Sequence, residues 1–160
     1  MINVDPRKLR DAFGSFMTGV TVVTTMTREG NPVGFTANSF TSVSLDPPML
    51  LVCPGKYLSC FDIFENCDYF AVNILSADQQ EVSDIFAKFN GDRFQQVSWQ
   101  KGHMDMPLLD ASTAQFICKK SKAIPAGDHS ILLGEVHDFK NSGQPGLGYA
   151  GGTYFTLNDE

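Results

Sequence analysis

The spacing of apolar residues changes early in the chain, from a helical period to a strand period. Asp5-Pro6 predicts a helix start, with Asp as N-cap and Pro at the first helical position. Leu9, Ala12, Phe13, Phe16 and Met17 then share one face, and Gly19 ends the helix. Residues 20–26 are rich in Val and Thr and read as a strand, followed by a turn at Arg28-Glu29-Gly30-Asn31. The chain returns through residues 33–36 and continues as 39–45, while 49–53 is a short apolar strand predicted to be buried on both faces. A second helix is expected over 59–66, with Ser59 at its N-cap, and a strand over 69–75. Ser76-Ala77-Asp78-Gln79 has capping-box spacing and opens a third helix through Phe86. Beyond it the pattern is mainly β, with strands at 94–99, 111–120, 130–139 and 149–156. Strands outnumber helices and do not alternate with them. That disfavours a doubly wound parallel sheet and favours a mainly β fold, an antiparallel barrel with peripheral helices.

Composition narrows this picture. The 160 residues suit a single domain, 1–160, that buries roughly two-thirds of its unfolded surface. Eighteen acidic against twelve basic residues give a net charge of −6, and no basic cluster exceeds Lys119-Lys120. Neither nucleic acid nor an anionic membrane is expected as the main partner, although a phosphate can still bind locally. The first ten residues lack the pattern of a signal peptide, and no apolar run approaches the ~18 residues of a membrane span. Cys53, Cys60, Cys67 and Cys118 form neither a CxxC nor a metal-ligand cadence, so buried reduced thiols, no metal and a cytoplasmic location are expected.

The densest chemistry lies in GFTANSFTSVSLDPP, residues 34–48. Thr36, Asn38, Ser39, Thr41, Ser42 and Ser44 gather hydroxyls and an amide there, and small side chains let a ligand approach the backbone. The plainer reading is the Thr- and Ser-rich solvent face of a hairpin, and residue chemistry leaves both open. GLGYAG at 146–151 matches GxGxxG literally, but no helix and no later acidic residue follow in the required places. It reads as a glycine-rich turn into a last strand. His103, His129 and His137 are too dispersed for a linear metal site. His129, in a Gly127-Asp128-His129 loop between strands, is placed for a barrel rim, or is a surface histidine held by Asp128. Residues 53–60, CPGKYLSC, combine a free backbone at Gly55, the charge of Lys56 and Ser59 before a helix, a combination suited to phosphate.

Taken together, these segments resemble the short-chain flavin reductase family, the reductase components of two-component flavin monooxygenases. The resemblance runs through FGSFMTGVTVVTT (13–25), GFTANSFTSVSLDPPMLLVC (34–53), FAVNIL (70–75), DRF (92–94), GDHSILLGEV (127–136) and YAGGTYFTL (149–157). It implies a split β-barrel that binds FMN or FAD, a homodimer, and NADH or NADPH as co-substrate. Hydride would pass from nicotinamide C4 to flavin N5 across rings stacked roughly 3–3.5 Å apart, with no protein base required. The resemblance assigns Thr36, Ala37, Asn38 and Ser39 to the isoalloxazine and ribityl chain, and Lys56 and Ser59 to the phosphate. His129 falls on the nicotinamide side, and Cys53, Phe86, Lys88 and Tyr154 join the flavin-binding set. Gly55, Leu58 and Cys60 depart from the family pattern, which often has Asn or Asp at the first position and Ser or Thr at the others. Reduced flavin would then be supplied to a partner monooxygenase. The alternatives are a flavin-holding electron-transfer or binding protein on the same barrel, or a reductase of another substrate such as a corrinoid. For the dimer, Phe35, Phe40 and Phe86 are the residues expected to cover apolar surface across a two-fold axis.

Overall fold

A computed structural model describes residues 2–157. Helix α1 (Pro6–Gly14) is capped as expected, the Asp5 side chain accepting a 2.9 Å bond from the Arg7 amide. It stops at Gly14 rather than Gly19, and none of its residues is buried. After β1 (Thr18–Gly19), β2 (Thr21–Met26) and β3 (Pro32–Ala37) form one hairpin, with Thr21 opposite Ala37. β4 (Thr41–Leu45) and β5 (Pro48–Val52) form another, with Leu45 opposite Pro48. The polar stretch 34–48 is therefore not one strand pair. Residues 38–40 link two separate hairpins. β5 is not buried on both faces either, because its burial alternates, with Leu50 and Val52 inward.

Helix α2 (Phe61–Asn66) begins after Cys60, which is its cap residue, so Ser59 does not cap it. β6 (Tyr69–Ile74) leads to α3 (Gln80–Lys88), which starts one turn after Ser76. Half of the capping box survives there: Gln79 Oε1 accepts from the Ser76 amide at 3.0 Å. Residues 94–99 are not a strand. Arg93–Gln95 is a 3₁₀ turn, Asp92 accepts from the Phe94 amide, and the apolar signal comes from Phe94 and Trp99 packing edge-to-face at 5.4 Å. The short pair β7 (Trp99–Lys101) and β8 (Pro107–Leu109) precedes the long hairpin β9 (Ala114–Ala126) and β10 (His129–Asn141). The last predicted strand is two, β11 (Leu147–Ala150) and β12 (Thr153–Thr156), turning at Gly151-Gly152 with φ of +56° and +78°. Positive φ at successive positions is what glycine supplies at least cost.

Seven strands join antiparallel in the order β3-β2-β6-β9-β10-β5-β4. The edges are β3 and β4, yet only residues 38–40 separate them in sequence. At 3.3–3.6 Å per residue, that link spans at most about 14 Å. The sheet must therefore curl until its edges face each other, which makes a barrel with an unpaired seam: the split barrel. Strand β2 is buried on both faces. Val23 points into the barrel with Phe35, Val52, Phe64, Phe70 and Leu132, and Val22 points outward under Leu75, Phe86, Phe94 and Leu147. Phe35 and Phe86 sit inside these cores at 2% and 1% exposure, so they cannot cover a partner as expected. Large apolar side chains that do meet solvent include Phe13, Phe16 and Met17 at and after α1, and Phe139 on β10.

Candidate functional site

The seam places the polar stretch at a cleft. Between the end of β3, helix α3 and the β11–β12 hairpin lies an opening of about 290 Å³, lined by Thr36, Ala37, Asn38, Ser83, Lys88, Tyr149 and Tyr154 among others. Its walls are tied together by side chains. Thr36 Oγ1 donates to the Ser83 carbonyl at 2.6 Å, and Ser83 Oγ and Tyr154 Oη share a 2.7 Å bond. Tyr154 Oη also donates to Asp84 Oδ1 at 3.3 Å, and Asp84 pairs with Lys88 at 3.1 Å. That hydrogen bond holds the Lys88 ammonium above the usual lysine range. The rings of Tyr149 and Tyr154, 5.2 Å apart, make one wall aromatic. Helix α3 comes this close because residue 34 is glycine: a Cβ there would lie 2.9 Å from the Val23 carbonyl oxygen and 3.1 Å from Phe86 Cε1. Phe86 backs the cleft from the core and presents almost no surface to it.

Ser39 and Cys53 meet beside the seam, the Cys53 amide donating to Ser39 Oγ at 2.9 Å. From Cys53 the chain enters a loop laced to the β9–β10 turn. The Ser130 amide donates to the Pro54 carbonyl at 3.0 Å, the Lys56 amide to the Asp128 carbonyl at 2.9 Å, and Lys56 Nζ to the Gly127 carbonyl at 2.7 Å. His129 is the first residue of β10, directly after a two-residue turn rather than inside a longer loop. Its Nδ1 lies 2.7 Å from Asp128 Oδ1. A carboxylate only accepts, so Nδ1 carries the proton, and in the tautomer this bond selects Nε2 is the acceptor. That bond holds the Asp128 carboxyl below the usual carboxylate range.

Ser59 stands elsewhere, in a second cleft of about 460 Å³ that Asn31, Cys60 and Arg93 also line. The predicted residues thus fall into three places: the α3 cleft, the loop–turn junction and the Ser59 cleft. Arg93 received no role from the sequence. Its Nε and Nη1 donate to the carbonyls of Phe89 and Gly34, both at 3.0 Å, which fixes its fork in the cleft. Its identity was the available signal, because a guanidinium is the side chain best shaped for a phosphate. Asp84, Ser83 and Tyr149 also escaped notice, since nothing in their spacing separates them from ordinary helix and strand positions.

The two clefts carry the groups a flavin would use: the α3 cleft has aromatic rings and a small floor at Ala37 for a planar ring system with hydroxyls and an amide beside them, and the separate Ser59 cleft has Arg93 for a phosphate. The four cysteines are free, with Cys60 and Cys118 buried, and burial pushes the Cys118 thiol up to about 12. Among the described residues no helix is long and apolar enough to cross a membrane.

The reductase component of a flavin-dependent trigonelline monooxygenase from Acinetobacter baylyi is 53% identical over 150 residues, 94% of this chain and 48% of that protein. The chain spans about half the length of the two curated relatives it matches at 53% identity. An FMN reductase (NADH), SmoA, of Agrobacterium fabrum is 42% identical over 148 residues, covering 92% of this chain and 84% of its own. Among solved structures, the NADH:FAD oxidoreductase SgcE6 of Streptomyces globisporus, in complex with NAD and FAD fragments, superposes with a TM-score of 0.90 at 37% identity. That match covers 99% of this chain and 98% of SgcE6. Residues 13–158 match the flavin reductase like domain, and the chain belongs to that family.

Proposed function

We propose that the chain is one domain, a flavin reductase that moves a hydride from NADH or NADPH to FMN or FAD and supplies the reduced flavin to a partner monooxygenase. The observation that carries this reading is the cleft at the end of β3, where Thr36, Ala37 and Asn38 meet Tyr149, Tyr154 and Lys88. Relatives near its own length support it, being named for NADH and for FMN or FAD.

Bound flavin supplies the hydride acceptor itself. The protein's task is alignment. Backbone N–H groups around Asn38 and Ser39 would meet the polar edge of a bound flavin and stabilise negative charge there. Ser59 and Arg93 hold the phosphate, and Lys56, its ammonium already engaged by the Gly127 carbonyl, stiffens the loop. The free Nε2 of His129 accepts from a carboxamide N–H and so orients the nicotinamide without acting as a base. The protein is cytoplasmic in this reading and pairs as a homodimer, with Leu9, Phe13, Phe16 and Met17 at and after α1 as the surface left for a second copy.

The test is anaerobic mixing of purified protein with NADH or NADPH and each free flavin in turn. Bleaching of the oxidised flavin band is expected, and NADH and NADPH both left unconsumed with every flavin would overturn the reading. Light scattering should give twice the 17.6 kDa chain mass; a monomer at micromolar concentration would remove the dimer.

A further inference from the structure

We infer that Tyr57 is a positioning residue for His129, and that glycine at position 55 is what lets it act as one. The inference rests on the proposed nicotinamide role of His129 and adds to it the group that fixes the ring. Asp128 holds Nδ1 at 2.7 Å, but a single hydrogen bond leaves the imidazole free to tilt about it. A second constraint comes from the loop after β5. The ring of Tyr57 stands edge-to-face with the His129 ring, centroids 6.1 Å apart and planes at 81°. Edge-to-face is the arrangement aromatic quadrupoles favour, so contact and orientation are both defined.

Tyr57 is 79% exposed, and no core packing explains where its ring lies. The ring is folded back over its own loop. A Cβ built on Gly55 would fall 2.2 Å from Tyr57 Cε1 and 2.8 Å from Cδ1, closer than any real contact. Gly55 itself bridges to His129 through the backbone, and Lys56 is bonded to Gly127 and Asp128 by Nζ and amide. Three consecutive residues, Gly55, Lys56 and Tyr57, therefore grip the turn that carries the histidine. Any side chain at position 55 evicts the Tyr57 ring while leaving the backbone contacts in place. Position 55 decides whether the loop can orient His129.

The experiment uses His129 ring resonances, NAD⁺ binding and flavin titration on the full chain. In Tyr57→Ala the ring-current shift on His129 should disappear. NAD⁺ affinity and the KM for NADH should both weaken by about three- to tenfold, the range of an aromatic pair. Flavin affinity should stay within twofold. Tyr57→Phe should restore all three values. Gly55→Ala should reproduce Tyr57→Ala, and the double variant should be no worse than either single one, because both remove the same contact. Unchanged His129 resonances in Tyr57→Ala would overturn the inference whatever the activity, and so would additive losses in the double variant. The proposed function fails separately, on the unmodified protein, if neither NADH nor NADPH is consumed with any flavin.

Discussion

Thr36 and Tyr154 reach the α3 cleft through hydroxyls bonded to a helix whose own anchors, Ser83 and Phe86, are buried in the chain. The His129 ring, by contrast, is held by the side chains of Asp128 and Tyr57, 88% and 79% exposed. One wall of the proposed site is an extension of the core and the other is assembled at the surface. The flavin wall therefore inherits its rigidity from packing, and its residues should be hard to change without loss of stability. The nicotinamide wall depends on a few exposed contacts, so its residues should alter binding and rate while the fold is indifferent.

Gly34→Ala is the severest test of the packed wall. The added Cβ meets a carbonyl oxygen at 2.9 Å and a buried ring at 3.1 Å, and neither can step aside freely. Overpacking of this kind costs about 1–3 kcal/mol. The denaturant midpoint should fall with the slope unchanged, and flavin should bind more weakly because Thr36 is displaced. Undiminished stability would mean that α3 is not held through β3, and the comparison would collapse.

His129→Ala examines the other wall. Flavin reduction should slow by roughly tenfold or more through misplacement of the nicotinamide, and the KM for NADH should rise. The flavin titration and the denaturant midpoint should not move. If flavin is lost instead, while what remains bound is reduced normally, the histidine serves the flavin wall.

Much of the fold was open to a reader of the sequence where pattern and packing agree. β2, β3 and β6 lie where periodicity puts them, because local preference and burial favour the same conformation there, whereas α1 starts at the Asp5-Pro6 signal on local preference alone and, with no buried residue, ends early. Residues 94–99 misled because Phe94 and Trp99 supply apolar side chains that meet edge-to-face and pack in the outer core from a 3₁₀ turn and the start of β7. The seam was invisible, since no local signal says that β3 and β4 lie on opposite edges of one sheet. For the same reason Ser59 and Lys56, three residues apart, could be read as one phosphate loop when they face different places. Arg93 was written in the sequence, but its cleft exists only once the 3₁₀ turn at Arg93–Gln95, β3 and loop 53–60 have come together.

Tyr154→Phe is a finer probe. It deletes one hydroxyl that bridges Ser83 and Asp84 and leaves the aromatic wall intact. Stability and flavin affinity should each fall by about 0.5–1.5 kcal/mol, the net value of a neutral hydrogen bond. A loss of affinity with no loss of stability would place this tyrosine on the surface-assembled side of the comparison. Thermal or chemical unfolding beside a flavin titration separates the two outcomes.

The smallest effect concerns acid. The hydrogen bond from His129 holds the Asp128 carboxyl below its ordinary value of 3.8, so the folded protein binds that proton less readily than the unfolded chain. The associated stability is present above the ordinary value and is lost as pH falls through the lowered one. Because the carboxylate is fully exposed, salt screens the effect and its size is slight. Asp128→Asn should make the decline of stability between about pH 5 and pH 3 marginally shallower, and added salt should narrow the gap between variant and parent. Identical acid limbs would mean that the Asp128–His129 bond does not persist in solution. Tyr57 would then be the only side chain left to orient the histidine, and the nicotinamide wall would be looser than its geometry suggests.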